Sequence, residues 1–196
     1  MMPSKSQTPG YFDALYKDNP DPWGFETSDY ERAKYDATLA ALPRPSFAAA
    51  LEVGCSNGVL TERLAPRCDA LLATDVVNSA LDRARDRCRH LPHVRFARSE
   101  LPDRAPVGLF DLILLSEVLY YFDRAELAKI AAQLTAAAAP GATMLLVHWL
   151  GPTPDYPLTG DEAVAAFEAA LPGVNVRRRE RTEQFRLELL EVARAD

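Results

Sequence analysis

In the stretch Ala50-Leu51-Glu52-Val53-Gly54-Cys55-Ser56-Asn57-Gly58-Val59-Leu60, an apolar run that begins upstream at Phe47 ends at Val53 and gives way to glycine. The run predicts a short buried strand, and a helix follows from Val59 to about Ala65 with Leu60 and Leu64 on one face. A strand, a glycine turn and a helix in succession form the first unit of a doubly wound α/β sheet, whose ligands sit at the carboxyl ends of the strands. Gly54 and Gly58 let backbone approach a ligand where a side chain would block it. The helix N-terminus beyond them offers unpaired N–H groups.

The spacing narrows the ligand. A dinucleotide fingerprint asks for glycine at the first, third and sixth positions, where this chain has Gly54, Ser56 and Val59. A phosphate-cradling loop ends in Gly-Lys-Ser/Thr, and Gly58 is followed by Val59. What remains is an acid at the strand end, Glu52, and a second acid, Asp75, closing the apolar run Ala70–Thr74, a predicted second strand. A carboxylate at that position can accept both ribose hydroxyls of a nucleoside.

With 196 residues, of which 48% are apolar, the chain suits a single globular domain over 11–196, preceded by a disordered stretch over residues 1–10. The net charge of -6 gives no electrostatic case for nucleic acid or an anionic membrane. No apolar run approaches a membrane span, and the polar start lacks the apolar region of a signal peptide, so a cytoplasmic location is expected. Cys55, Cys68 and Cys88 form neither a zinc pattern nor a disulfide framework, and His90 and His93 have no third ligand nearby, so no metal is expected.

Between Asn19 and Phe25, two prolines and a glycine surround Trp23, which predicts an irregular segment; a helix then runs from about Asp29 to Leu42, capped by Ser28 or Asp29. Residues 11–45 thus read as an N-terminal irregular segment followed by a helix. Further helices are expected over Ser79–His90, over Arg124–Ala139 ended by Pro140-Gly141, and over Asp161–Leu171 behind a Thr159–Glu162 capping box. Strands are expected over Val94–Ala97, Phe110–Ser116 and Ala142–Val147, with a closing hairpin of two edge strands over Val174–Arg179 and Phe185–Val192. The fold expected is α/β: a Rossmann-like, doubly wound and mostly parallel sheet, antiparallel at its C-terminal hairpin, with helices on both faces. Arg177-Arg178-Arg179 and Arg181 either contact an anion or form a solvated edge that resists aggregation.

The run Glu52-x-Gly54-x-x-x-Gly58 followed by Asp75 resembles the first motif of class I S-adenosylmethionine-dependent methyltransferases, with Ser56 in place of their usual middle glycine. More specifically, Asp21-Pro22-Trp23-Gly24-Phe25-Glu26-Thr27, Tyr30-Glu31-Arg32-x-Lys34-Tyr35, Ser116-Glu117-Val118-x-Tyr120-Tyr121 and Asp155-Tyr156-Pro157-Leu158-Thr159-Gly160-Asp161 resemble the NodS family of N-methyltransferases. The resemblance covers roughly residues 11–165. It implies S-adenosylmethionine as cofactor, S-adenosylhomocysteine as product and no metal. Cofactor contacts are implied for Glu52, Gly54, Cys55, Ser56, Asn57, Gly58, Asp75, Val76 and Ser116, and for Ser99, Glu100 and Leu101 beside the adenine. Trp23 is implied as a lid and Arg32 as a contact to the cofactor carboxylate, unless Arg32 is a surface residue paired with Asp29 or Asp36.

The acceptor implied is the free amino group of an amino sugar or a deacetylated chitooligosaccharide. An amine must lose a proton to attack, and a base near neutrality serves best. His148, at the end of the fifth strand, is the first candidate, unless it merely hydrogen-bonds backbone. Glu117 is the second, as base or as the group that orients the amine, and Tyr120 and Tyr121 can bond or stack on a sugar. Trp149, Asp155 and Tyr156 are expected to wall the acceptor pocket. O-methylation of a sugar or natural product, and a non-catalytic binding protein, stay open as alternatives.

Overall fold

The computed structural model describes residues 5–193. In chain order the elements are α1 (Pro9–Asp18), α2 (Asp29–Ala41), β1 (Ala50–Val53), α3 (Val59–Leu64), β2 (Leu71–Asp75), α4 (Asn78–Arg87), β3 (Val94–Arg98), β4 (Phe110–Ser116), α5 (Arg124–Ala136), β5 (Ala138–Trp149), α6 (Gly160–Ala170), β6 (Val174–Arg181) and β7 (Phe185–Val192). The strands form one sheet in the order β3-β2-β1-β4-β5-β7-β6. Pairing is parallel from β3 to β5, and β7 runs antiparallel to both β5 and β6. The expected α/β architecture is therefore the observed one, with the order reversing between β1 and β4, where such sheets open a ligand crevice.

Side-chain alternation on the central strands explains the two helical layers. Leu51, Ile113, Leu115 and Met144 meet α5 and α6, whereas Ala50, Leu112, Leu114 and Leu145 meet α2 and α3. Leu112 to Leu115 are all fully buried, each contributing roughly 1.5–3 kcal/mol relative to exposure. An uninterrupted apolar run is what a strand covered on both faces requires. Among the described residues no helix is long and apolar enough to cross a membrane.

Four expectations are corrected. Residues 5–10 are docked: Gln7 N–H donates to the Tyr121 carbonyl at 2.8 Å, Asp123 N–H donates to Ser6 Oγ at 2.8 Å, and α1 begins at Pro9. Residues 1–4 lie outside the described residues. α1 itself was not foreseen, although Pro9 suits a first helical turn and Asn19 before Pro20 ends it. Next, α5 stops at Ala136, and β5 begins at Ala138 with Pro140-Gly141 inside it. The register jumps there from Phe110↔Ala138 to Leu112↔Thr143, the kind of bulge that admits proline and a left-handed glycine. Strand pairing overrides the helix preference of the alanine run. Finally, β7 is not an edge: it lies between β5 and β6, and Glu188 on it is buried.

The C-terminal arginines are absorbed by carboxylates. Arg177 pairs with Glu191, Arg178 with Glu180, Arg179 with Glu168 and Arg181 with Asp161. That arrangement supports the solvated-edge reading over an anion site.

Candidate active site

A cavity opens at the carboxyl ends of β1, β2, β3 and β4. Its lining brings together, from the residues expected at the cofactor, Trp23, Glu52, Gly54, Cys55, Ser56, Asn57, Asp75, Val76, Ser99, Glu100, Leu101 and Ser116. From those expected at the acceptor it holds Glu117, Tyr120 and Tyr121. Phe12, Tyr16 and Phe25 close it from the N-terminal side, and Gln7, Pro9 and Lys34 line it as well.

The turn after β1 is held by its neighbours. Gly54 has φ +80°, and a Cβ there would stand 2.2 Å from Val118 Cγ1, so only glycine fits. Ser56 also takes a left-handed conformation, φ +51°, which explains why glycine is the usual residue at this position. Its hydroxyl meets Tyr16 Oη, and its N–H donates to Asp75 Oδ2 at 2.9 Å. Val77 N–H donates to Asp75 Oδ1 at 2.9 Å. Both Asp75 oxygens are thus held by backbone N–H groups, Val76 adding to the two, and a carboxylate with about four lone-pair sites keeps acceptor capacity for a ribose hydroxyl. Burial pushes the Asp75 carboxyl up against these hydrogen bonds, and pushes Glu52 up to about 7.

Gly58 is set by packing between helices. It does not line the cavity, and a Cβ on it would lie 2.9 Å from Ala84 Cα. Its missing side chain lets the start of α3 pack on α4.

Asp21 organises the loop that carries Trp23. Its carboxylate accepts from Phe25 N–H at 2.9 Å and Glu26 N–H at 3.0 Å, and from Asn57 Nδ2 at 3.4 Å. Trp23 stacks on Phe25 at 5.6 Å and meets Tyr16 edge-on at 5.7 Å. Arg87 of α4 pairs with Glu26 and donates to the Asn57 carbonyl. These bonds tie the tryptophan loop directly to the glycine turn.

At the opposite end of the cavity Glu117 leaves β4 with φ +63°, a conformation that costs a non-glycine residue energy and gathers at functional sites. Lys34 Nζ bonds Glu117 Oε2 at 2.6 Å and Glu31 Oε1 at 2.8 Å, and stands 5.0 Å from the Tyr30 ring centroid. Lys34 is 1% exposed. Burial raises the Glu117 carboxyl, opposed by the Lys34 charge. Lys34 was not singled out from the sequence. Its signal was a helical stripe of buried positions in α2, Glu31, Lys34, Tyr35, Thr38 and Ala41, on which charged residues are out of place unless paired.

Several expected residues lie elsewhere. His148 is fully buried outside the cavity lining, and its Nε2 accepts from Leu119 N–H at 3.1 Å. Burial lowers its pKa to about 3, assisted by the Arg186 and Lys34 charges. Arg32 is exposed and pairs with Asp29 at 2.9 Å, away from the cavity. Trp149 packs against Tyr30 at 5.4 Å and against Gly151, where a Cβ would strike its ring at 2.1 Å. Asp155 is exposed, with its carbonyl accepting from the Gln7 amide. Tyr156 stacks on Tyr120 at 5.3 Å, outside the lining.

The sheet order, the glycine turn after β1 and the acid ending β2 define the architecture of the class I S-adenosylmethionine-dependent methyltransferases. Residues 13–146 match the Nodulation protein S (NodS) family, and the chain belongs to it. Nodulation protein S of Rhizobium tropici is 40% identical over 123 residues, 62% of this chain and 52% of that protein. The Bradyrhizobium diazoefficiens protein is 37% identical over 127 residues, 64% of this chain and 61% of that protein. These matches thus span little more than half the length of the curated relatives. A candidate methyltransferase structure from Pseudomonas syringae shares 36% identity with a TM-score of 0.73, over 83% of this chain and 98% of that one. N-methyltransferase NodS from Bradyrhizobium japonicum WM9, solved with S-adenosyl-L-homocysteine, has the same fold, with a TM-score of 0.80 at 23% identity over 91% of this chain and 96% of that one.

Proposed function

We propose that this protein is an S-adenosylmethionine-dependent methyltransferase that methylates a free amino group on an amino sugar or deacetylated chitooligosaccharide. The observation that carries the reading is an acid-bearing, aromatic-covered cavity: Glu52, Asp75, Glu100 and Glu117 line it, beneath Phe12, Tyr16, Trp23 and Phe25. A sulfonium cofactor and an ammonium acceptor are both cations, and acidic walls suit both. The residues fit the cofactor. Among the described residues Asn57 Oδ1 is a buried polar atom without a hydrogen-bond partner, and Asp75 has free acceptor capacity where a ribose would lie.

Bound there, S-adenosylmethionine supplies an electrophilic methyl group: as the N–C bond forms, the S–C bond breaks and its electron pair stays on sulfur. The protein's own task is alignment and exclusion of water, since holding two reactants together removes much of the barrier. Asp75 and Glu52 would hold the nucleoside, Trp23 and Tyr16 would cover it, and Glu117, Tyr120 and Tyr121 would face the acceptor. The family's N-methyltransferase member with bound S-adenosyl-L-homocysteine supports the same reading.

The test is S-adenosylhomocysteine release with two acceptors, a chitooligosaccharide deacetylated at its non-reducing end and the fully acetylated one, with Asp75→Ala as control. Turnover of the first alone, lost in the control, is expected. Equal turnover of both points to a hydroxyl acceptor, and failure to bind the cofactor sinks the enzyme reading.

A further inference from the structure

The buried charge cluster beside the cavity is an unusual investment of desolvation. Lys34 lies between two carboxylates, Glu31 and Glu117, and against two aromatic rings, Tyr30 at 5.0 Å and Tyr35 at 5.7 Å. A buried ion cluster of this kind is weak as a stabiliser, because desolvation offsets most of the attraction. With both carboxylates ionised it retains one net negative charge. Among the described residues Glu117 Oε1 and Tyr30 Oη are buried without a hydrogen bond of good geometry; the Trp149 N–H faces the Glu117 carboxylate, and its other oxygen is taken by Lys34. Both Lys34 and Glu117 line the cavity.

We propose that Lys34 is a positioning residue: it fixes one Glu117 oxygen so that the other, Oε1, receives a cationic primary amine and takes its proton. The inference rests on the methyltransferase reading above and adds the group that prepares the acceptor. The balance is simple. The ammonium gives one proton to the Glu117 carboxylate, leaving a neutral amine with its lone pair free and a neutral carboxylic acid. The amine then forms its bond to the methyl carbon and carries the positive charge away as a methylammonium. Glu117 returns its proton to water once product leaves.

Glu117 suits this because two influences oppose each other on it: burial raises its pKa, and the Lys34 ammonium pulls it back. The charged and titratable groups facing it are Lys34, Glu31, Tyr30 and Tyr35 from α2, with Tyr120 and Tyr121 from the turn after β4. The four phenols are raised above their ordinary value and stay neutral. Lys34 and Glu31 are the charges that act on it, and the Trp149 N–H adds to the pull of Lys34.

The experiment compares wild type, Glu117→Gln, Lys34→Met and Lys34→Arg, each checked for S-adenosylhomocysteine binding by calorimetry and for methyl transfer to the deacetylated chitooligosaccharide from pH 5 to 10. Glu117→Gln should bind S-adenosylhomocysteine as wild type does and lose about 100-fold or more in kcat, the scale of a lost proton acceptor. Lys34→Met should bind it too, with the acid limb of its pH profile moved to higher pH, because loss of the ammonium lets the Glu117 pKa rise. Lys34→Arg, which restores the charge, should bring that limb back toward wild type. Should Lys34→Met fail to fold, Lys34→Gln, which also removes the charge, takes its place and is expected to show the same shift. An unchanged profile in the variant that lacks the Lys34 charge, or near-normal kcat in Glu117→Gln, with S-adenosylhomocysteine still bound, would overturn the inference and leave the methyltransferase reading intact. Wild type that binds no S-adenosylhomocysteine, or turns over no primary amine, overturns that reading and this inference with it.

Discussion

Glu117 and His148 follow neighbouring positions in register, Ser116 on β4 and Val147 on β5, yet one opens onto the cavity and the other is sealed. β4 stops at Ser116 because Glu117 turns into a left-handed conformation while its N–H still bonds the Val147 carbonyl at 2.8 Å. β5 runs on through His148 and Trp149 because β7 pairs with it there, His148 opposite Arg186 and Trp149 opposite Phe185. The extra length carries His148 under the turn after β4, where Leu119 N–H and the Tyr120 ring meet it. A strand end therefore faces ligand only if its neighbours release it. Here the antiparallel partner β7 prolongs β5 past the crevice.

This contrast is broken most directly by exchanging the two losses. Glu117→Gln is expected to lose turnover while still binding S-adenosylhomocysteine. His148→Ala is expected to keep the turnover of its folded fraction and to lose about 2–4 kcal/mol in denaturant unfolding, from a cavity and an unpaired Leu119 N–H. Activity lost in the histidine variant at full stability would reverse the assignment.

A second difference lies in acid. The folded His148 resists protonation down to about 3, while the unfolded imidazole takes a proton below its ordinary 6.5. The unfolded state binds more protons in that window, so acid favours unfolding there. Wild-type stability measured against His148→Gln should rise with pH from 3 to 6.5, by up to about 1.4 kcal/mol per unit, and level off above. A flat difference would mean that the ring reaches solvent.

Gly54→Ala tests the link between the two ends, since its Cβ would strike Val118, which lies between Glu117 and Leu119. With φ at +80° the substitution should cost at least about 1 kcal/mol and weaken S-adenosylhomocysteine binding. The smallest effect is expected from Arg32→Ala: an exposed pair contributes little, and S-adenosylhomocysteine affinity should be unchanged in titration calorimetry. A large loss there would restore the cofactor role expected from its motif.

Much of the proposed cofactor half was legible because it is local. Glu52, Gly54, Ser56, Asn57 and Asp75 belong to short strand–turn–helix units whose spacing reports their geometry. The proposed acceptor half was legible only in part. Glu117 stood out as the residue after the central strand, but its partner Lys34 is 83 residues away in sequence. Read alone, Lys34 is one more charge on a surface helix.

By itself, then, the amino-acid pattern determined the layers of the sheet, the glycine turn and the acid that follows it, because hydrophobic periodicity and backbone freedom act over a few residues. Tertiary structure decided the rest: that Gly58 makes room for a helix, that β7 enters the sheet and buries His148, and that α2 brings Lys34 to Glu117. Those outcomes depend on which surfaces meet and which charges lose their water. Neither is encoded in the spacing of any one segment.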